Sequence, residues 1–270
     1  MGFDDRRVTE ADSATAPAVI VAPGRAWDAL ALDAVAMPVV AIVGGGGKTA
    51  LLYRLGREAA AAGRHAVLAG TTRFTPGPPA LMPPLVTAGD AALPDALAIA
   101  LRGHRVVVAS TGAQPQGRLG ALAPETADAV ARLPGLGLLA LEADGSKLRP
   151  FKAPADHEPV IPDSATHVVA VVGLDALDAP LDEAHVHRPE RVRAIAGEGA
   201  TVCDAALIAR VLASPLGGRK GVGGRRFCVI VNKADLAPDR ALALAEAIRT
   251  AGVPRVIVMS LGRSAGAHPR

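Results

Sequence analysis

Aromatic residues are nearly missing from this chain: one Trp, one Tyr and four Phe, 2% of 270 residues. A protein so poor in stacking platforms is badly equipped to hold single-stranded nucleic acid. An excess of charge of one sign is missing too. Lys and Arg number 29 against 26 Asp and Glu, a formal net charge of +3 spread along the chain, so no basic face for a nucleic-acid backbone is expected. Cysteine is scarce. Cys203 and Cys228 have no His or Cys at a zinc spacing, which excludes a disulfide framework and reads as two buried apolar residues. No run reaches the roughly 18 apolar residues that cross a bilayer. The opening stretch MGFDDRRVTE carries acids where a signal peptide needs an apolar segment. The expected location is the cytoplasm, with neither membrane nor nucleic acid as a partner.

What is abundant is Ala, Val and Leu, within an apolar fraction of 50%. Short Val-rich runs recur at 39–43, 66–69, 106–109, 138–141, 168–172, 228–231 and 256–259, each bounded by polar, Gly or Pro residues. Near-continuous apolar runs of this length read as strands buried on both faces. Helical patterns alternate with them at 48–62, 91–101, 124–133, 189–195, 204–212 and 238–251, several opening on Pro. The fold class expected is α/β, a doubly wound and mostly parallel sheet. Residues 1–24 read as a loose leader, 25–262 as one domain and 263–270 as a flexible tail, while Leu216 to Arg226, LGGRKGVGGRR, reads as a mobile surface loop.

The stretch AIVGGGGKTALL, Ala41 to Leu52, joins such a strand to a helix through Gly44, Gly45, Gly46 and Gly47. Glycines allow successive backbone N–H groups to point into one concavity, and the following helix start adds partial positive charge. In that context Lys48 is a phosphate-contacting and catalytic cation, and Thr49 is a Mg²⁺ ligand. The pattern lacks the early Gly of the common phosphate-loop spacing, because Ile42 stands there. A loop of this kind needs an acid at the end of a neighbouring strand. LLALEADGS (138–146) offers Glu142 and Asp144, which share a side of an extended chain. Asp144 is the first choice for Mg²⁺ and Glu142 for metal or water, although an Asp before Gly145 also suits a turn.

Toward the C-terminus, Asn232-Lys233-Ala234-Asp235 follows an apolar run and is similar to the N-K-x-D element by which GTPases read guanine. The Asp carboxylate would accept the two N–H groups of the guanine edge, with the Lys stem along the base and Ser260 on the next strand's loop near the ring. Asp235 as a helix cap is the simpler alternative. Thr71, Thr72 and Arg73, and likewise Ser110, Thr111 and Gly112, end other strands on the same edge and suit either an anion or turn chemistry. His157, Glu158, His185, His187 and Glu190 invite a metal reading without a diagnostic spacing.

Four stretches, VGGGGKT (43–49), LEADGSKLRPFKAPADHEPVIP (141–162), HVVAVVGLDALDAPLDEAHVHRPERV (167–192) and VNKAD (231–235), resemble the YqeC-like family of selenium-dependent hydroxylase accessory proteins. The resemblance covers about residues 25–262 and implies a P-loop NTPase fold. It also implies an association with maturation of molybdenum-dependent hydroxylases. Through it, Asp144, Gly145, Ser146, Lys147, Arg149 and Lys152 look like a signature, with basic residues suited to an anionic partner. Three functions follow: an Mg²⁺-dependent nucleoside triphosphatase using GTP or ATP in maturation of a client hydroxylase, a non-hydrolysing carrier of a molybdopterin nucleotide, or a small-molecule phosphotransferase.

Overall fold

A strand buried on both faces must satisfy its backbone groups by pairing with like neighbours, and parallel pairing needs helical crossovers that cover the faces. The computed structural model of the chain, which describes residues 18–22, 24–77 and 82–262, has this arrangement. In chain order the strands are β1 (Ala18–Val21), β2 (Val39–Gly44), β3 (His65–Gly70), β4 (Leu85–Thr87), β5 (Val106–Ser110), β6 (Ala113–Gln114), β7 (Arg118–Leu119), β8 (Leu136–Glu142), β9 (Phe151–Lys152), β10 (His167–Gly173), β11 (Val186–His187), β12 (Arg226–Asn232) and β13 (Arg255–Val258). The helices are α1 (Ala26–Ala29), α2 (Lys48–Ala61), α3 (Leu93–Ala100), α4 (Pro124–Ala131), α5 (Pro189–Ala196), α6 (Ala205–Ala213) and α7 (Pro238–Thr250).

Nine strands form one sheet in the order β1-β13-β12-β10-β2-β8-β3-β5-β4, and all its pairings are parallel. Side chains alternate across it. Val39, Ala41 and Val43 of β2 enter a core shared with Leu97 of α3, Val130 of α4, Val192 of α5, Ile208 of α6 and Leu244 of α7. Val40 and Ile42 enter the opposite core with Trp27 of α1 and Leu51, Leu52 and Leu55 of α2. Helices on both faces make the sheet doubly wound. Pro at the first turn of α3, α4, α5 and α7 adds a preset backbone where no amide is needed, and Asp204 caps α6 by accepting from the Leu207 amide at 2.7 Å.

Each of the seven apolar runs falls in a strand of this sheet, Met259 alone lying just past the end of β13. Two edge strands lie outside those seven runs. Ala18–Val21, placed in a loose leader by composition, pairs with β13, and Leu85–Thr87 pairs with β5. The rest of that leader through residue 17, with Pro23 and the tail at 263–270, lies outside the described residues. The stretch 216–226, expected to be mobile, is a docked series of turns. Gly218 donates to the Val211 carbonyl, Val222 is buried, and the Lys220 ammonium donates to the carbonyls of Ala155 and Asp156.

Parallel pairing brings the carboxyl ends of the strands to one edge. Gly44 pairs with Val171, Ile42 with Glu142, and Gly173 with Asn232, so the glycine run, the acidic pair and the Asn-Lys-x-Asp element share that edge. The irregular segment after β8 crosses the same edge, held where β9 pairs with β11.

Candidate functional site

The glycine run is tighter than a cradle with every amide free. The Gly44 amide donates to Asp144 Oδ2 at 3.0 Å, Gly45 to the Val171 carbonyl at 2.9 Å and Gly46 to the Arg149 carbonyl at 3.1 Å. A Cβ on Gly45 would lie 2.4 Å from the Arg149 carbonyl oxygen, and one on Gly46, at φ +75°, 2.3 Å from the Gly173 amide nitrogen. These glycines are therefore dictated by close packing against neighbouring backbone, and only the C-terminal part of the run faces outward. The amides of Gly47, Lys48, Thr49 and Ala50, at the start of the 14-residue α2, meet no acceptor among the described residues. That is the set of orphan donors a helix start leaves for an anion.

Around these amides Lys48, Glu142 and Asp144 are buried, and Thr49 and Ser146 half-buried. Lys48 Nζ donates to the Gly44 carbonyl at 2.8 Å and to Ser146 Oγ at 3.2 Å. The Thr49 hydroxyl donates to Glu142 Oε1 at 2.5 Å. Burial pushes the Glu142 carboxyl above its ordinary pKa, against the opposing pull of Lys48 and the Thr49 hydrogen bond. Asp144 faces the other way. Its Oδ1 accepts no hydrogen bond among the described residues and lies 3.3 Å from Lys48 Nζ, and its Oδ2 lies 3.0 Å from Lys152 Nζ.

Lys152 continues the chain of charges to Glu158 Oε2 at 2.6 Å, which Arg188 Nη1 meets at 2.7 Å. Burial alone would raise the Glu158 pKa, yet Lys152 and Arg188 hold it down to about 2. Sequence reasoning offered Lys147, Arg149 and Lys152 to an anionic partner. The structure spends Lys152 on Asp144 and Glu158, and ties Arg149 Nε to the Glu183 carbonyl. Glu158 and Arg188 enter the site through the β9–β11 pairing, a non-local contact with no signature in the sequence.

The second motif also assembles. Asn232 is buried, with Nδ2 donating to the Gly46 carbonyl at 2.7 Å and Oδ1 accepting from the Leu261 amide at 2.8 Å, so it ties the glycine run to the segment after β13. Asp235 Oδ1 accepts from the Ser260 hydroxyl at 2.6 Å, and its amide donates back to Ser260 Oγ at 3.0 Å. Lys233, in a left-handed conformation at φ +61°, reaches Asp175 at 2.5 Å. Asp235 is exposed and Ser260 half-buried, so this pair borders solvent beside the glycine run.

The other candidates separate. Thr71 donates its hydroxyl to the Val160 carbonyl and its amide to the Glu142 carbonyl, tying the end of β3 to the segments after β8, whereas Ser110 and Thr111 bond the turn at 112–121 and serve turn chemistry. Among the described residues no three His, Cys, Asp or Glu side chains group to hold a metal. His185 pairs with Asp182 on the surface, while burial and then the charges of Arg188 and Lys152 hold the buried His187 down to about 4. Cys203 and Cys228 are buried. No helix among the described residues is long and apolar enough to cross a membrane.

The family described as YqeC protein matches residues 40–190, which include the glycine run, the acidic pair and both partners of the β9–β11 pairing but not Asn232–Asp235. A relative from Escherichia coli (strain K12), described as "Uncharacterized protein YqeC", is 35% identical over 159 residues, 59% of this chain and 60% of the relative. The chain thus spans under two thirds of that relative's length. No solved structure matches the chain.

Proposed function

The chain belongs to the YqeC family, and from that premise we propose that it binds a nucleoside triphosphate with Mg²⁺ at the carboxyl edge of its sheet. One observation carries the reading: four amides without a partner among the described residues, Gly47 to Ala50, open a long helix beside the buried Lys48 ammonium and the Thr49–Glu142 pair. Phosphate oxygens are the acceptors that such donors and a confined cation select.

The residues suit Mg²⁺ as well. A carboxyl held above its ordinary pKa by burial, with a hydroxyl 2.5 Å away, gains the compensating charge it lacks when a divalent cation binds. This moves the preferred metal ligand from Asp144 to Glu142, with Thr49 kept. Asp144, already between Lys48 and Lys152, is the anchor that aims the Lys48 ammonium. Bound Mg²⁺ would neutralise phosphate charge. Lys48 exchanges Ser146 and Gly44 for phosphate oxygens.

Asp235 and Ser260 supply the base end, and the Asp235 carboxylate favours guanine over adenine because adenine presents it with an acceptor. Turnover of GTP or ATP as a nucleoside triphosphatase, with Lys48, Glu142 and Asp144 around the phosphates, extends the same reading. A carrier that holds a molybdopterin nucleotide without hydrolysis is favoured by a different feature. Gly45 and Gly46 spend their amides on protein carbonyls, which leaves fewer donors for a phosphoryl group in transfer. Service to a molybdenum hydroxylase rests on the family resemblance alone.

Calorimetry of GTP and ATP with Mg²⁺ against wild type, Lys48→Ala and Asp235→Ala tests the proposal. The expected result is binding that Lys48→Ala abolishes and a GTP preference that Asp235→Ala removes. Wild-type protein that binds neither nucleotide refutes it.

A further inference from the structure

One cation at the site edge has no role in either motif. Arg118 lies on the β6–β7 hairpin, which is anchored over the ends of β3 and β5. Phe74 and Leu119 exchange backbone hydrogen bonds at 3.3 and 2.9 Å, the Leu122 amide donates to the Gly70 carbonyl at 2.8 Å, and the Gly120 amide donates to Ser110 Oγ at 2.9 Å. Buried Leu119 and Leu122 secure the hairpin from below. Arg118 Nη2 donates to the Arg73 carbonyl at 2.6 Å, so the guanidinium of this half-buried residue is oriented by backbone. No carboxylate pairs with it among the described residues, and the Arg73 carbonyl that it holds lies three residues past Gly70, the β3 residue that pairs with Glu142. An oriented guanidinium with donors to spare and no carboxylate partner is built to meet an anion.

Sheet order says which anion. The base-end residues Asn232, Asp235 and Ser260 follow β12 and β13, on one side of β2, whereas Arg118 sits above β3 and β5, beyond β8 on the other side. A nucleotide with its base at the first position and its phosphates on the start of α2 runs across β2 with its terminal phosphate leading toward β3. We propose that Arg118 contacts the terminal phosphate of the bound nucleoside triphosphate and so distinguishes triphosphate from diphosphate. The inference rests on the nucleotide reading of the site.

The test is calorimetry on the full chain with Mg²⁺, comparing non-hydrolysable GTP and ATP analogues with GDP and ADP for wild type, Lys48→Ala, Arg118→Gln and Arg118→Lys. Arg118→Gln should weaken triphosphate binding about 10- to 100-fold, the range for a lost hydrogen bond to a charged group, and leave diphosphate binding unchanged. Arg118→Lys should recover part of the loss, and Lys48→Ala should lose both ligands. Triphosphate binding by Arg118→Gln equal to wild type overturns the proposal, as does an equal loss of diphosphate. If wild type binds no nucleotide, the nucleotide reading has failed by itself. Pyrophosphate then tests Arg118 alone: binding by wild type that Arg118→Gln loses supports the anion contact, and absent or equal binding overturns it.

Discussion

Lys152→Met is the sharpest test of the buried charge chain, because methionine keeps the stem and removes only the ammonium. The Lys152 side chain is 1% exposed, and its Nζ lies 3.0 Å from Asp144 Oδ2, 2.6 Å from Glu158 Oε2 and 2.6 Å from the Gly145 carbonyl. Without it, Asp144 keeps only Lys48 as counter-ion, Glu158 keeps only Arg188, and the Gly145 carbonyl loses its donor. Breaking a buried pair from one side strands a charge and costs about 3–5 kcal/mol. At about 2–4 °C per kcal/mol for a chain of this size, Tm should fall by about 6–20 °C. Thermal and urea unfolding at pH 7 measure both quantities. A Lys152→Met protein within about 0.5 kcal/mol of wild type, as for an ordinary surface lysine, would refute the reasoning.

Three further outcomes are expected. Gly46→Ala and Gly63→Ala both put alanine at positive φ, +75° and +72°, but only at Gly46 does the new Cβ meet backbone, 2.3 Å from the Gly173 nitrogen. Gly63→Ala should therefore cost about 1–2 kcal/mol and Gly46→Ala clearly more in urea unfolding; equal costs would show that the glycine loop yields freely. Burial, followed by the charges of Arg226 and Arg255, lowers His167 from 6.5 to about 4 in the folded protein. The unfolded chain then binds the extra proton between those values, so stability should fall as pH drops from 6.5 toward 4, and His167→Leu should flatten the profile measured by urea at several pH values. Burial pushes the thiols of Cys203 and Cys228 up to about 11 and about 12, so a thiol reagent at pH 8 should label neither until the protein unfolds.

The strands and helices were legible because their causes are local. Val-rich runs such as 168–172 carry the signature of a strand buried twice, and Pro124, Pro189 and Pro238 mark helix starts. The edge strand Leu85–Thr87 was not legible, since three half-exposed residues hold too few apolar positions to declare themselves, and the apolar Ala18–Val21 was masked by the Ala-, Pro-, Asp- and Thr-rich composition of the leader around it. The sequence also overstated the freedom of 216–226, because glycine content reports what a backbone is able to do, while the docking of Lys220 and Val222 depends on residues more than 50 positions away.

By itself the sequence determined the α/β class, the strand–glycine–helix junction at Gly44 to Lys48 and the meeting of Asn232, Asp235 and Ser260 with that junction, because parallel strands must bring their carboxyl ends to one edge. Only the tertiary structure decided how the charges divide. Thr49 turned to Glu142, Asp144 to Lys48 and Lys152, Glu158 and Arg188 joined the same network, and Arg118 met a backbone carbonyl and no carboxylate among the described residues. The reason is distance: pairing among buried charges is settled by which side chains the β9–β11 contact and the hairpin bring within a few ångströms, and residue spacing along the chain carries no record of it.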